Sequence, residues 1–492
     1  MIFKNKKDIY QCRNEENLDL NSKNSDGKIF IGISSTGIYC RPICHARQPK
    51  AENRNYFNTA AEAEKAGFRP CLLCRPELAP KIISLNSATS LASQIARYIE
   101  ENCGNAITEK DLAQYFNCTE QYLEQQFKEN YNVTTSEYLK TYRLLLAKQL
   151  LTDTNLSSDE IAKAVGFNNS QNLNKIFKEQ YRLEPERLRR KKTQNKEKSD
   201  YITLSLAYRA PYRWETLLDF LALRAIPGVE MVKDEEYFRT VHMLNKHGEP
   251  VYGWLKVSNR PEKNSLSISI SNNLVSVIPK VLSRVRHLFD LSSDPDEVQG
   301  KLSSMNQIQP DLFSPGIRIP GAFNAFEMVV RAVLGQQITV KAARTLVDRF
   351  AQTFGILLNI GVEGLTHTFP VPDTILSLGD NVADHLGPIG ITSRRAKTIL
   401  ELARAFKYKT IELNFPTKPE KEIEKLKEIP GIGEWTAQYI AMRAMRWPDA
   451  FPHTDYGIKK ALSPRTDKEI LELAESWRPC RSYAAINLWN SL

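Results

Sequence analysis

The chain has 492 residues, 42% hydrophobic and 25% charged, with 67 Lys and Arg against 57 Asp and Glu for a formal net charge of +10. It exceeds one ordinary domain and is apolar enough to fold, which excludes a disordered chain, and its basic excess favours a polyanionic partner. No run approaches the roughly 18 apolar residues of a membrane span, and Met1-Ile2-Phe3-Lys4-Asn5-Lys6-Lys7-Asp8 holds no apolar stretch for a secretory signal, so a reducing cytoplasm is expected.

The first strong pattern is Cys40-x3-Cys44 and Cys71-x2-Cys74, two pairs separated by 26 residues. Two short pairs, each supplying two ligands from one turn, are the layout of a tetrahedral four-thiolate zinc site. Cys12, Cys103, Cys118 and Cys480 read as free thiols. Thr36-Gly37-Ile38-Tyr39-Cys40-Arg41-Pro42, Ala46-Arg47 and Gly67-Phe68-Arg69-Pro70-Cys71 resemble the N-terminal domain of the bacterial Ada alkylation-response family over residues 1–80. The resemblance implies that Cys40 accepts a methyl group from a methylated DNA phosphate, with Arg47 and Arg69 near the DNA backbone. Zinc would keep the thiolate deprotonated and nucleophilic, and the thioether product could not readily leave, so each molecule would act once. Methylation would also remove one negative charge facing the phosphates and tighten DNA binding. The plainer alternative is a purely structural zinc knob.

An internal repeat follows. Phe127-Lys128-Glu129-Asn130-Tyr131 returns 50 residues on as Phe177-Lys178-Glu179-Gln180-Tyr181, and each copy reads as two short helices with a turn. Ile161-Ala162-x-x-Val165-Gly166-Phe167 resembles the AraC family of transcription factors, within residues 85–190. The resemblance implies two helix-turn-helix units joined by a helix around Tyr138–Leu151, reaching successive major grooves about 34 Å apart. Leu173 and Arg182 depart from the family's usual aromatic and glycine. Two roles stay open: activation of alkylation-response genes, with promoter DNA and RNA polymerase as partners, or a DNA clamp for repair.

Residues 191–200 read as a basic linker, since Arg189-Arg190-Lys191-Lys192 leads into a stretch without apolar residues. In residues 201–290, alternation predicts strands at Ile202–Leu206, Glu236–His242, Gly253–Lys256 and Leu266–Ser271, with amphipathic helices near Glu215–Arg224 and Val277–Phe289. From Ala322 the pattern is helical, within a unit spanning 300–492.

Lys427–Asp455 is the densest stretch. Gly431-Ile432-Gly433 separates an apolar helix end from a helix opening at Glu434-Trp435-Thr436-Ala437, so bare N–H groups at a helix N-terminus can hold a phosphate without reading sequence. Asp455 follows 22 residues after Gly433. Leu-x-x-Ile-Pro-Gly-Ile-Gly-x-x-Thr-Ala resembles the helix-hairpin-helix DNA glycosylases. Gly321-Ala322-Phe323, Arg331-Ala332-Val333-Leu334-Gly335-Gln336, Phe451-Pro452 and Arg481-Ser482-Tyr483-Ala484 extend the resemblance to their 3-methyladenine DNA glycosylase II (AlkA-like) subfamily over roughly residues 200–492. It implies Asp455 as the essential carboxylate, Trp435, Tyr439 and Trp489 as base-pocket aromatics, and Gly431, Gly433, Thr436 and Gln337 as DNA contacts. Gln337 stands where some members place an apolar wedge. Trp435 occupies the position of the Schiff-base lysine of members that also nick the backbone, which points to a monofunctional enzyme. The bland alternatives are that Asp455 only caps a helix and that Trp435 and Tyr439 are core residues.

The expected fold is thus multidomain, mainly α with α+β: a small four-cysteine zinc domain, two helix-turn-helix units, and an antiparallel α+β subdomain ahead of a helical helix-hairpin-helix glycosylase domain. The expected function is excision of alkylated purines such as 3-methyladenine, combined with zinc-thiolate methyl acceptance from methylphosphotriesters and regulation of the alkylation response. The alternative is a methylation-activated regulator whose glycosylase half only holds DNA. Expected cofactors are one Zn2+ on Cys40, Cys44, Cys71 and Cys74, with a monovalent cation at the hairpin as a further candidate. Expected partners are alkylated and promoter double-stranded DNA, with no membrane and a monomeric state.

Overall fold

A computed structural model describes residues 25–46, 49–189 and 199–492. Arg47 and all but the last two residues of the 191–200 linker lie outside the described residues. No described helix is long and apolar enough to cross a membrane.

The N-terminal lobe is a four-stranded sheet in the order β3-β1-β2-β4, from β1 (Phe30–Ile33), β2 (Ile38–Cys40), β3 (Arg54–Phe57) and β4 (Arg69–Pro70), with helix α1 (Ala60–Lys65) against it. Its core is small: Phe30, Tyr39, Phe57, Ala63 and Phe68. So little burial leaves a lobe of this size marginal alone, and the chain compensates by bolting it to its neighbour.

That neighbour holds α2 (Leu91–Asn102), α3 (Glu109–Tyr115), α4 (Glu120–Tyr131), the long α5 (Thr135–Asp153), α6 (Ser158–Val165) and α7 (Ser170–Tyr181). Capping boxes at Thr108, Thr134 and Ser157 start three of them. The 50-residue repeat is structural: Leu123 and Leu173 are both fully buried, as are Phe127 and Phe177. The second helix of each unit ends on a left-handed residue, Asn132 at φ 57° and Arg182 at φ 53°. An arginine there bears a conformational cost of roughly 1–2 kcal/mol.

Two bolts join this block to the first lobe. Glu64 of α1 is buried and accepts hydrogen bonds from Tyr39 (3.0 Å), Thr141 of α5 (2.8 Å) and Tyr181 of α7 (2.8 Å). Arg75 forks onto Asp153 with two 2.8 Å bonds, and beside it the buried Lys148 of α5 pairs with Glu77 at 2.6 Å.

The third block is a five-stranded antiparallel sheet in the order β5-β9-β8-β7-β6. Its elements are β5 (Tyr201–Ala207), α8 (Trp214–Arg224), β6 (Glu230–Lys233), β7 (Glu236–Leu244), β8 (Pro250–Arg260) and β9 (Ser265–Ser271), followed by α9 (Ile278–Leu288). Alternation is clean in β5, where Ile202, Leu204 and Leu206 are buried, so that strand was readable. The edge strand β6 and the ends of β8 carry no such alternation; β6 and the start of β8 form through pairing with β7, and the polar end of β8 through pairing with β9. One hydrophobic core runs without a break from Ile95, Leu144 and Phe177 into Leu204, Leu255 and Val281, so the helix-turn-helix block and this sheet subdomain share an interior.

The remainder is helical: α10 (Pro295–Leu302), α11 (Ala325–Leu334), α12 (Val340–Phe354), α13 (Pro372–Leu376), α14 (Val382–Leu386), α15 (Ser393–Tyr408), α16 (Pro419–Glu428), α17 (Glu434–Arg443), α18 (Tyr456–Ala461), α19 (Asp467–Glu475) and α20 (Arg481–Asn490). It has its own large core, including Val329, Phe350, Ile399, Ile440 and Trp477.

Burial pushes the Glu64 carboxyl up to about 7, against the opposing pull of its three hydroxyl donors. The folded chain therefore holds a proton that the unfolded chain releases. The associated stability is present at low pH and is lost as pH rises towards 7 and beyond, by roughly 3 kcal/mol in all. Urea unfolding of wild type and Glu64→Gln at pH 5 and pH 8 checks this: the wild type should lose more stability than the variant by about that amount, and parallel losses would refute the assignment.

Candidate functional site

Helix α17 organises the C-terminal site. It opens directly after the hairpin, with Gly433 as its N-cap and Ala437 N–H making the first helical bond to Gly433 O at 3.0 Å, so the first-turn N–H groups before it have no helical partner. Gly431 adopts φ 97°, and a Cβ there would lie 2.3 Å from Thr398 Oγ1, which itself holds Pro430 O at 2.7 Å. Gly433 differs: its φ is −97° and a Cβ would meet nothing within 4 Å. Neither conformation nor internal packing requires glycine at 433, which leaves close approach of a ligand as its use. Gln336 clamps the hairpin to α11 through bonds to Gly431 O and Thr436 Oγ1, both 2.9 Å. Thr436 is buried, and its hydroxyl is taken by Gln336, so its side chain is not free for the DNA contact expected of it.

Asp455 is a helix cap and a site residue at once. Its Oδ1 accepts from the N–H groups of Gly457 (2.8 Å) and Ile458 (3.2 Å) at the start of α18, and from Trp489 Nε1 (2.9 Å). Its Oδ2 accepts only from Trp435 Nε1, at 2.9 Å. All four partners are donors, which suits the acceptor-only form of a carboxylate. Trp435 and Tyr439 stack at 5.2 Å with planes 7° apart, and Trp489 is tilted against Tyr439 at 6.2 Å.

These four side chains line a cavity of about 300 Å³ closed by Met328, Ala332 and Val347. Sequence reasoning missed its cationic end. Arg224 comes from α8, on the other subdomain, and lies over Phe220 at 3.7 Å; Arg443 donates to Tyr439 Oη at 2.7 Å and Arg331 pairs with Glu230 at 2.7 Å. Burial pushes the Tyr439 hydroxyl up, but Arg443, Arg224 and Arg331 together outweigh it and hold it below the ordinary phenol value. Positive charge therefore gathers at the Tyr439 hydroxyl and negative charge at Asp455, beside the two indole N–H groups. Arg224 lies too far along the chain from α17 for any local pattern to reveal it.

Gln337 is exposed in the turn between α11 and α12 at φ 56°. A non-glycine residue held there is strained by roughly 1–3 kcal/mol, and such strain gathers at functional positions.

In the N-terminal lobe the Sγ atoms of Cys40, Cys44, Cys71 and Cys74 all lie within 4.8 Å of one another. Zn–S bonds of about 2.3 Å require sulfurs roughly 3.8 Å apart, so the four residues fit one Zn2+ without rearrangement of the fold. The N–H of Arg41 donates to Cys74 Sγ at 3.3 Å, and Arg41 is fixed by Asp26. Cys40 is 5% exposed, and Cys74 is the more exposed residue of the two. Arg69 is half-buried in β4 beside the cluster.

The two hairpin glycines should respond oppositely to alanine. Gly431→Ala should cost about 2 kcal/mol or more through its left-handed φ and the Thr398 clash. Gly433→Ala should leave stability within about 0.5 kcal/mol but weaken duplex binding roughly tenfold. Thermal unfolding and a fluorescence-anisotropy titration separate the two, and equal DNA affinity in Gly433→Ala would remove the phosphate contact.

Four stretches match known families: residues 16–77 the metal binding domain of Ada, residues 112–191 a helix-turn-helix domain, residues 203–324 the AlkA N-terminal domain, and residues 330–478 the HhH-GPD superfamily of base excision DNA repair proteins. A Mycobacterium tuberculosis protein named probable bifunctional transcriptional activator/DNA repair enzyme AlkA is 30% identical over 480 residues, covering 95% of this chain and 93% of the relative. Escherichia coli DNA-3-methyladenine glycosylase 2 is 35% identical over 287 residues, 58% of this chain and 96% of its own length. Escherichia coli Ada is 48% identical over 56 residues, 11% of this chain and 16% of its own length. The chain belongs to the family of bifunctional transcriptional activator/DNA repair proteins that carry an Ada-type zinc domain, a helix-turn-helix domain and an AlkA-type glycosylase fold on one polypeptide.

Proposed function

We propose that the chain repairs alkylated DNA with two chemistries and regulates the response to that damage. The observation that carries the first is Asp455: a carboxylate with one oxygen saturated by three donors and the other opening on an aromatic cavity beside a glycine hairpin. A purine alkylated on a ring nitrogen is cationic, so its glycosidic bond breaks heterolytically, the bonding pair going to the departing base and leaving an oxocarbenium-like sugar. Asp455 Oδ2 faces that cation and accepts a hydrogen bond from the water that adds to it. Trp435, Tyr439 and Trp489 hold the flipped base by stacking and cation–π attraction, each worth on the order of 1 kcal/mol. Gly433 and the first turn of α17 grip the backbone, and Gln337 fills the space the base leaves. With Trp435 in place of a lysine, no Schiff base forms and the enzyme stops at the abasic site.

The second chemistry belongs to Cys40. Its sulfur attacks the methyl carbon of a methylphosphotriester; the carbon–oxygen bond breaks with its pair staying on the phosphate, and a thioether remains. Bound zinc keeps the attacking sulfur as a thiolate. Loss of one negative charge then favours DNA binding by the rigidly attached helix-turn-helix pair, whose α4 and α7 keep exposed polar faces.

Release of free 3-methyladenine from alkylated DNA tests the first chemistry. Asp455→Asn keeps the cap, loses the Trp435 bond and should fold within about 1 kcal/mol of wild type, yet excise at least roughly 100-fold more slowly. A wild-type protein that releases no base would leave the regulator reading, in which the C-terminal half only holds DNA. Peptide mass spectrometry after incubation with methylated DNA tests the second: Cys40 should gain one methyl group per molecule, whereas labelling of the more open Cys74 would move the assignment.

A further inference from the structure

A second cavity, about 200 Å³, lies where the three blocks meet. Its walls come from the segment after the zinc lobe (Lys81), from α2 (Arg97, Glu100, Glu101), from the tyrosines of α5 (Tyr138, Tyr142), from α9 (Arg284, Arg286) and from the loop after α17 (Arg446). The volume is many times the roughly 10–15 Å³ that holds one water. Three of the cations have carboxylate partners: Lys81 with Glu100 at 2.7 Å, Arg284 with Glu101 at 2.7 Å, and Arg446 with Asp290 at 3.6 Å. Two do not. Arg97 forks onto Gln94 Oε1 at 2.9 Å and Asn414 O at 3.1 Å, both neutral acceptors. Arg286 leaves its buried Nη1 with no hydrogen-bond partner.

Glu100 acts through space on both arginines and Glu101 on Arg97, but neither arginine has a carboxylate in contact, and guanidinium N–H groups taken from water without an anionic acceptor are costly. We propose that this junction is a binding site for a small phosphate-type anion, held by Arg97 and Arg286, which ties the helix-turn-helix block to the glycosylase. The planar fork of arginine matches phosphate oxygens bidentately, and the two arginines come from opposite sides of the junction, so one anion bridges both blocks. The surrounding titrations agree with an excess of positive potential. Burial pushes Arg97 down to about 9, with Arg446 and Arg284 adding to the shift. Burial likewise takes Lys81 down to about 8, and Arg286 pushes the same way against Glu100. The cavity is separate from the base pocket: the two share no lining residue.

The test uses the full chain with inorganic phosphate, compared with chloride at equal ionic strength, read by calorimetric titration and thermal unfolding. Saturable binding with a raised Tm is expected in the wild type, and at least tenfold weaker binding in Arg286→Met and Arg97→Met. In chloride, Arg286→Met should melt at or above the wild-type Tm, because it removes an uncompensated buried charge; this keeps lost binding distinct from lost folding. Adenosine monophosphate distinguishes the anion's source: tighter binding than phosphate assigns the site to a nucleotide, through the tyrosines, and equal binding assigns it to phosphate alone. An unchanged phosphate response in both variants overturns the site. So does a duplex that binds Arg286→Met tenfold more weakly while free phosphate stabilises neither protein, since DNA would then be the occupant.

Discussion

A carboxylate that both starts a helix and lines a cavity has to divide its two oxygens, and the C-terminal half is arranged around that division. Asp455 gives Oδ1 to two backbone N–H groups and one indole, and leaves Oδ2 with a single indole donor. The cap fixes the carboxylate; the carboxylate fixes both tryptophans; and Trp435 fixes Tyr439 by stacking one helical turn further along α17. The pocket wall and the charged group are therefore one mechanical unit. Because α17 carries the hairpin at its N-terminus and Trp435 in its first turn, the hairpin and the hydrogen bond that Trp435 gives the carboxylate are placed by one helix. Capping a helix and lining the cavity, which compete as explanations when only the sequence is read, are compatible at this residue.

The N-terminal half is held together differently, by polar bolts between small cores. Tyr39 precedes Cys40 and donates to Glu64, which also takes hydroxyls from α5 and α7; Arg75 follows Cys74 and grips Asp153 at the end of α5. The chain thus leaves the four-cysteine cluster at both ends into fixed contacts with the double helix-turn-helix. Under the proposed methyl transfer, a change of charge at the cluster would act on helices whose orientation to it is set by buried hydrogen bonds. Within the helix-turn-helix block, the left-handed Arg182 directly follows Tyr181, which Glu64 locks, and Leu173 is fully buried in the core.

Much of this was legible because its signals are short-range. Cysteine spacing, hairpin glycines, the 50-residue repeat and the alternation in β5 each lie within one or two elements, and the family resemblances rest on such stretches. Asp455, Trp435 and Tyr439 were found this way and do converge on one cavity. Trp489, the least local of the set, joins them through its indole N–H. What escaped is the product of long-range packing. β6 pairs without an apolar pattern, Arg224 reaches the pocket from another subdomain, and Thr436 sits in a DNA-contacting motif yet spends its hydroxyl on Gln336. The shared interior of the second and third blocks was equally hidden, because a sequence that reads as two domains with a linker gives no sign that their apolar faces meet.

That shared interior sharpens the question of what sets the strength of docking between the halves. Apolar contact across α2 and α9 favours a permanent joint, as does the Glu101–Arg284 pair at 2.7 Å. Against this, Arg97 and Arg286 bring positive charge into the same junction without a carboxylate in direct contact. An apolar residue at either position would strengthen the joint at no desolvation cost, so the two arginines make the docking weaker than the surrounding surface permits. Such a junction is sensitive to whatever neutralises it, and the free energy it withholds is returned only when a counter-charge arrives. A joint of this kind transmits occupancy, where a fully apolar one would transmit nothing.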